Sequence, residues 1–156
     1  MIIRDTKPQD GGEMADLLNQ IIAIGGTTAY EHPTSADEVM RSHITGPDVI
    51  SSVVAVQDAQ VIGWQSAELW QGDAYIGTFV RQEVQAKGIG TALFAQTCEI
   101  LGKSGVRNII ALIRADNVPG LRYYARLGFV DFAVDPDFTL QTGQVVGRVH
   151  RKYHVD

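Results

Sequence analysis

Two stretches of this 156-residue chain carry residue types and spacings suited to chemistry. The first is Gln85-Ala86-Lys87-Gly88-Ile89-Gly90-Thr91, a turn with two glycines between a β-like run, Tyr75 to Arg81, and a helical run, Ile89 to Gly102. Lacking Cβ atoms, Gly88 and Gly90 let the backbone approach a ligand, and the free amides of a helix start make a positively polarised anion site. The stretch reads as a phosphate cradle or as a plain strand-to-helix turn. It is not a Walker A loop, because no Lys-Ser or Lys-Thr follows a glycine at the required spacing; a Rossmann fingerprint would need Gly or Ala where the chain has Leu93. The second stretch is Asn117, Tyr124 seven residues on, and then Leu127-Gly128-Phe129. Asn117 falls at the carboxyl end of a predicted strand, where open α/β sheets bind ligands, and it also suits a helix N-cap; the two roles can coexist. Tyr124 lies on the helix that follows, facing either a ligand or the core, while Tyr123 reads as an ordinary packed or surface tyrosine.

The elements that must position these stretches follow from periodicity. Met1 to Arg4 predicts a short strand. Pro8 suits a first helical turn, and Met14, Leu17, Leu18, Ile21 and Ile22 make one apolar helix face that ends at Gly25-Gly26. Thr27 to Pro33 has no period and reads as a loop, followed by a short helix with Ser35 and Glu38 as its capping box. Val49 to Gln57, Val61 to Leu69 and Ala74 to Arg81 predict an antiparallel meander of three strands. The helix after the glycine turn carries Ile89, Leu93, Phe94, Ile100 and Leu101 toward a core, and Gly102 and Gly105 stop it. Ile109 to Ile113 is continuously apolar, as expected of a strand buried on both faces beside a parallel neighbour, so strand, helix and strand form one crossover. Pro119 opens a further helix that Gly128 ends, and Phe129 to Val134 and Val145 to Tyr153 are the last strands. This order predicts an α/β (α+β) fold, a mixed, mostly antiparallel sheet of about seven strands with helices on both faces, in a single domain over residues 1–156.

Composition bounds the function. Hydrophobic residues make up 45% and charged residues 20%, with no apolar stretch long enough to span a bilayer, so no membrane partner is expected. The first residues lack a signal-peptide pattern, which makes the cytoplasm the expected location. A net charge of −5 argues against nucleic acid as a partner. Cys98 is the only cysteine; it lies in an apolar helical pattern, reads as core packing, and excludes both an internal disulfide and a cysteine-rich zinc site, so no metal is expected.

Taken together, the two stretches resemble the GCN5-related N-acetyltransferase (GNAT) superfamily. Its Gln/Arg-x-x-Gly-x-Gly/Ala signature corresponds to Gln85, Gly88 and Gly90, and its Asn, helical Tyr and Gly-Phe correspond to Asn117, Tyr124, Gly128 and Phe129; the element order agrees over essentially the whole chain. The resemblance implies an acyl-CoA-dependent N-acetyltransferase that uses acetyl-CoA as donor co-substrate. It implies that the amides from Ala86 through Lys87, Gly88, Ile89 and Gly90 to Thr91 bind the pyrophosphate, with Gln85 heading the motif. It further implies that the backbone of Phe79 and Val80 pairs with the pantetheine arm and that Asn117 bonds the pantetheine or acyl region. Arg81, Arg122 and the side chain of Lys87 are further candidates for the nucleotide phosphates.

Acyl transfer from a thioester to an amine needs a neutral amine, a polarised carbonyl and a protonated leaving group. A phenol can supply the last, which makes Tyr124 the implied general acid, and the Val80 amide can stabilise the developing oxyanion. For the base, Glu68 and Glu31 are candidates, with His32 and His43 behind them and ordered water as the alternative; each also reads as a solvated surface group. The loop with Thr28, Tyr30 and Glu31 resembles the acceptor wall of phosphinothricin-type and related amino-acid-type acetyltransferases. That implies a small amine or amino-acid-like acceptor, with a protein or peptide amine and a polyamine or aminoglycoside as alternatives. A catalytically silent acetyl-CoA-binding module is the competing class. The C-terminal strand at a sheet edge would allow pairing between subunits, so a homodimer is also an expectation.

Overall fold

Alternating apolar side chains build one sheet with helices on both sides. The computed structural model describes residues 1–84 and 87–156; the roles expected of Gln85 and Ala86 lie outside the described residues. Along the chain run β1 (Ile2–Asp5), α1 (Gly11–Ile24), α2 (Ala36–Val39), β2 (Val49–Gln57), β3 (Gln60–Trp70), β4 (Asp73–Val80), α3 (Ile89–Lys103), β5 (Asn108–Arg114), α4 (Val118–Leu127), β6 (Val130–Asp135) and β7 (Arg148–His154). A 3₁₀ turn, Pro8–Asp10, leads into α1, and a π turn, Met40–Ile44, continues α2. Ser35 caps α2 by accepting a hydrogen bond from the Glu38 amide at 3.1 Å, as the sequence predicts. Among the described residues no helix is long and apolar enough to cross a membrane.

The seven-stranded sheet has the order β1-β2-β3-β4-β5-β7-β6, antiparallel throughout except for parallel β4 and β5. This is the mixed, mostly antiparallel sheet expected. Val54, Val61, Trp64 and Phe79 pack with α1 and α2 on one face; Val53, Ala55 and Ile62 pack with Ile89 and Leu93 of α3 on the other. On that second face Phe94 of α3 meets Phe129, which in turn meets Tyr124 of α4 over Ala67, Ile109, Ala111 and Ile113. Strict period-2 alternation would put Val61 and Gln65 on the same side. A register shift between Ala55 and Val56 leaves Ile62 as an extra residue, so Val61 and Trp64 share the α1 face while Gln65 turns toward α3.

Two features of the sheet matter for function. Parallel pairing of β4 and β5 extends only over Ala74 with Ile109 and Tyr75 with Ile110, so the two strands part beyond Tyr75 and leave a cleft. The second feature corrects an expectation. The C-terminal strand is not at the edge: β7 lies between β5 and β6 and pairs with β5 from Asn108 opposite His154 to Arg114 opposite Arg148. The long connection after β6 returns the chain as a hairpin, and β7 then satisfies the backbone of the apolar β5 along its whole length. The edge on this side of the sheet is β6, with exposed Val130, Phe132 and Val134, and β1 is the edge on the other.

Candidate active site

The parting of β4 and β5 opens a cavity of about 660 Å³, within the range of small-molecule sites. Its walls are the far half of β4 (Gly77 to Val80), the end of β5, the first turn of α3, the inner face of α4, and the loop at Thr27 to Tyr30. Each wall has a local cause. Gly88 is the N-cap of α3 with φ +79°, a left-handed conformation that glycine adopts freely, and a Cβ there would meet open space. The amides of Ile89, Gly90 and Thr91 that follow have no acceptor inside the helix, and these three residues line the cavity. Gly90 is a glycine for another reason: a Cβ there would lie 2.5 Å from Cε1 of Tyr123. Close packing of α3 on α4 thus calls for glycine here by itself, beside the ligand approach that its type and spacing suggest.

Asn117 caps α4. Its Oδ1 accepts from the Gly120 amide at 3.0 Å, and its Nδ2 donates to the Thr27 carbonyl at 2.9 Å. Arg114 extends the same clamp, donating to the Thr28 carbonyl at 2.9 Å while its Nη2 lies 2.7 Å from Asp116. At the other end of the loop, Asn19 and Thr34 exchange two hydrogen bonds of 2.9 and 2.8 Å. The irregular Thr27 to Pro33 segment is thus held from α1, β5 and α4.

A buried polar network runs beneath the cavity. Gln65, fully buried, accepts from the Thr97 hydroxyl and donates to Thr78 Oγ1 at 2.8 Å and to the Tyr123 hydroxyl at 3.2 Å. Tyr123 donates to the Gly90 carbonyl at 2.7 Å, and Thr78 Oγ1 lies 2.9 Å from the Tyr124 hydroxyl. Burial pushes the Tyr124 phenol up to about 12, partly offset by the Thr78 hydrogen bond, so it stays protonated through the neutral range. Burial also raises the Tyr123 phenol. Because Thr78 already accepts from Gln65, its own proton is available to the Tyr124 oxygen, an arrangement that leaves the Tyr124 proton for the cavity.

On the α1 face of the sheet, His43 Nδ1 lies 2.9 Å from Ser66 Oγ and its Nε2 lies 3.4 Å from the Tyr30 hydroxyl. Burial lowers His43 to about 4, so the ring is neutral near pH 7. Glu68 lines the same cavity; burial first, and the nearby Asp48 second, raise its carboxyl above the ordinary glutamate value. Tyr30 is likewise raised, by burial and by Glu68.

The structure therefore gathers Thr28, Tyr30, His43, Glu68, Phe79, Val80, Gly88, Ile89, Gly90, Thr91, Asn117, Arg122 and Tyr124 around one cavity. It does not bring Glu31 there. Both Glu31 carboxylate oxygens accept from Thr142, its amide at 2.7 Å and its hydroxyl at 2.9 Å, so this side chain ties two loops together. His32 is exposed, as is Lys87, and neither lines the cavity. Arg81 is turned away, its Nε donating to the Val61 carbonyl at 2.9 Å. Gln65, Thr78, Thr97 and the role of Tyr123 escaped the sequence reading; the available signal was a glutamine inside an otherwise apolar or small-residue strand. Cys98 is half-buried against the core, which raises its thiol to about 11. Among the described residues no three His, Cys, Asp or Glu side chains converge as a metal site would require.

The sequence model of the acetyltransferase (GNAT) family matches residues 17–129. The chain belongs to that family. Among its relatives, YwnH of Bacillus subtilis (strain 168), provisionally named a phosphinothricin acetyltransferase, is 22% identical over 92% of this chain and 93% of its own. An L-methionine sulfoximine/L-methionine sulfone acetyltransferase of Pseudomonas aeruginosa PAO1 is 26% identical over 94% of this chain and 87% of its own. The structure of a GNAT superfamily phosphinothricin acetyltransferase from Sinorhizobium meliloti, in complex with AcCoA, superposes with a TM-score of 0.86 at 21% identity, covering 99% of this chain and 88% of that one. This last likeness carries the overall fold.

Proposed function

We propose that this GNAT protein transfers the acetyl group of acetyl-CoA directly to the primary amine of a small amino-acid-like molecule. The observation that carries the reading is the Tyr124 hydroxyl, held by Thr78 where β4 leaves β5, in the cavity that also receives the first turn of α3 and Glu68. The residues present suit acetyl-CoA. The left-handed Gly88 with open space around it, followed by the amides of Ile89, Gly90 and Thr91, suits a pyrophosphate. The backbone of Phe79 and Val80 lines the widened gap, where an extended pantetheine arm fits alongside β4, and Asn117 borders its acyl end. When bound, the donor supplies an acyl group activated as a thioester.

The chain's own residues then have two proton tasks. Glu68, whose raised carboxyl is a better proton acceptor than an ordinary glutamate, takes the proton that the acceptor's ammonium gives up, directly or through water. Tyr124 gives its proton to the sulfur as the carbon–sulfur bond breaks and the carbon–nitrogen bond forms, and the second proton, shed by the new amide nitrogen, returns to the Tyr124 oxygen directly or through water, so that the products are an amide and a free thiol. The names of relatives, one provisionally a phosphinothricin acetyltransferase and one an L-methionine sulfoximine/L-methionine sulfone acetyltransferase, support an amino-acid-like acceptor for this chain.

The test is a thiol-release assay with acetyl-CoA over amino acids, simple amines, peptides and polyamines, run beside thermal unfolding. Turnover with amino acids is expected, as is a stabilisation by acetyl-CoA of about 2.7 kcal/mol at one hundred times its Kd. Stabilisation without turnover on any primary amine would leave a silent acetyl-CoA-binding module; turnover confined to peptides or polyamines would overturn the acceptor class.

A further inference from the structure

The two charged side chains shared by the main cavity and a neighbouring hollow are unsatisfied. That hollow, of about 500 Å³, is lined by Asp48, Leu69, Trp70 and His150, and it shares Glu68, Tyr75, Leu112 and Arg148 with the main cavity. Glu68 stands on β3, beside Tyr75 of β4, on one arm of the parted sheet; Arg148 stands on β7, opposite Arg114 of β5, on the other. Among the described residues neither side chain has a hydrogen bond or an ion pair, and the Arg148 Nε is buried with no acceptor. The guanidinium is nevertheless held, with its central carbon 4.2 Å over the Phe138 ring. The other cations of the cavity differ. Arg114 is neutralised by Asp116, and Arg122 and Arg126 are exposed on α4. Half-buried charges of opposite sign that face one space without pairing suit a ligand that carries both signs.

We infer that Arg148 and Glu68 together recognise a zwitterionic acceptor, Arg148 binding the α-carboxylate and Glu68 the α-ammonium of a free amino acid. The inference rests on the acceptor reading above and sharpens it. The acceptor's side chain lies toward Leu69, Trp70, Tyr75 and Leu112, which accommodate an apolar side chain, while Asp48 and His150 complete the wall of the same hollow. A planar guanidinium matches a carboxylate with two parallel hydrogen bonds, which an ester, an amide or a decarboxylated amine cannot reproduce.

Arg148→Gln and Arg148→Lys are compared with the unaltered protein on an amino acid, its amide and its decarboxylated amine. The readouts are kcat/KM with acetyl-CoA and, separately, amino-acid binding by calorimetry in the presence of free CoA, with donor-induced thermal stabilisation as the check that each variant is folded. The unaltered protein should prefer the acid. In Arg148→Gln the acid-to-amide ratio of kcat/KM should fall about tenfold or more, mainly through KM, with Arg148→Lys between the two. An unchanged ratio, or equal loss on acid and amide, would overturn the inference, as would the absence of amino-acid binding to the unaltered protein. Arg148-dependent amino-acid binding without turnover would uphold it while overturning the catalytic reading.

Discussion

The type and spacing of Tyr124, the proposed acid, were visible in the sequence, and its setting was not. A phenol buried on all sides loses its ordinary acidity, and the shift to about 12 keeps the group protonated throughout the neutral range of pH. A basic limb in the pH–rate profile below about pH 11 therefore belongs to another group. Tyr124→Phe should lower kcat by about 10²- to 10⁴-fold at every pH tested while leaving acetyl-CoA binding nearly intact. Steady-state kinetics from pH 6 to 10 with calorimetric donor binding checks this, and an unchanged kcat would assign the acid elsewhere. The contrast with Glu31 shows how far residue type alone reaches. Both glutamates sat in plausible places, but Glu68 faces the cavity while Glu31 is taken up by Thr142, more than a hundred residues away in the chain. No local pattern announces that contact.

At the level of elements, what was legible was whatever a single segment determines. β2 and β5 run where the apolar patterns put them, the Ser35 cap and the Asn117 cap are where side-chain chemistry places them, and Gly128 ends α4 with φ +102°. What depends on how segments meet was hidden: the phase change at Ile62, the insertion of β7 beside β5, and the reason for the second glycine of the turn. Gly90 and Tyr123 are 33 residues apart, and only the packing of α4 against α3 shows that the ring occupies the volume a side chain at 90 would need. Gly90→Ala should cost about 1–3 kcal/mol by overpacking. Tyr123→Leu removes the offending ring edge, so the double variant should be more stable than the sum of the two losses, with a coupling of about 0.5–3 kcal/mol. Urea unfolding of the four proteins measures it. Strict additivity would mean that the close approach is not what demands glycine.

For the whole molecule, the face of the sheet under α1 and α2 holds a titratable group whose effect on global stability has a definite sign. His43, on the π turn after α2, packs edge-on to Trp64 with centroids 4.9 Å apart and is 8% exposed. Its folded value of about 4 lies below the ordinary value of 6.5, so the unfolded chain takes up a proton first as pH falls. The stabilisation is present above about pH 6.5 and is lost as pH falls toward 4, where the difference of roughly 2.5 pH units corresponds to about 3 kcal/mol at most. Other groups act differently. Glu68, raised by burial, opposes the trend because its protonated form is the one the fold prefers. Asp10 and Asp116, lowered by Arg4 and Arg114, stabilise above their ordinary carboxylate value, and their contributions are lost only below it. The background from these carboxylates is common to both proteins when the unaltered chain is set against His43→Gln. Unfolding free energies at pH 7, 6, 5 and 4.5 should converge, the unaltered protein losing up to about 3 kcal/mol more than the variant over this interval. Parallel curves would mean that the imidazole takes up its proton as readily in the folded protein as in the unfolded chain, so that burial between Tyr30 and Ser66 does not hold the ring neutral.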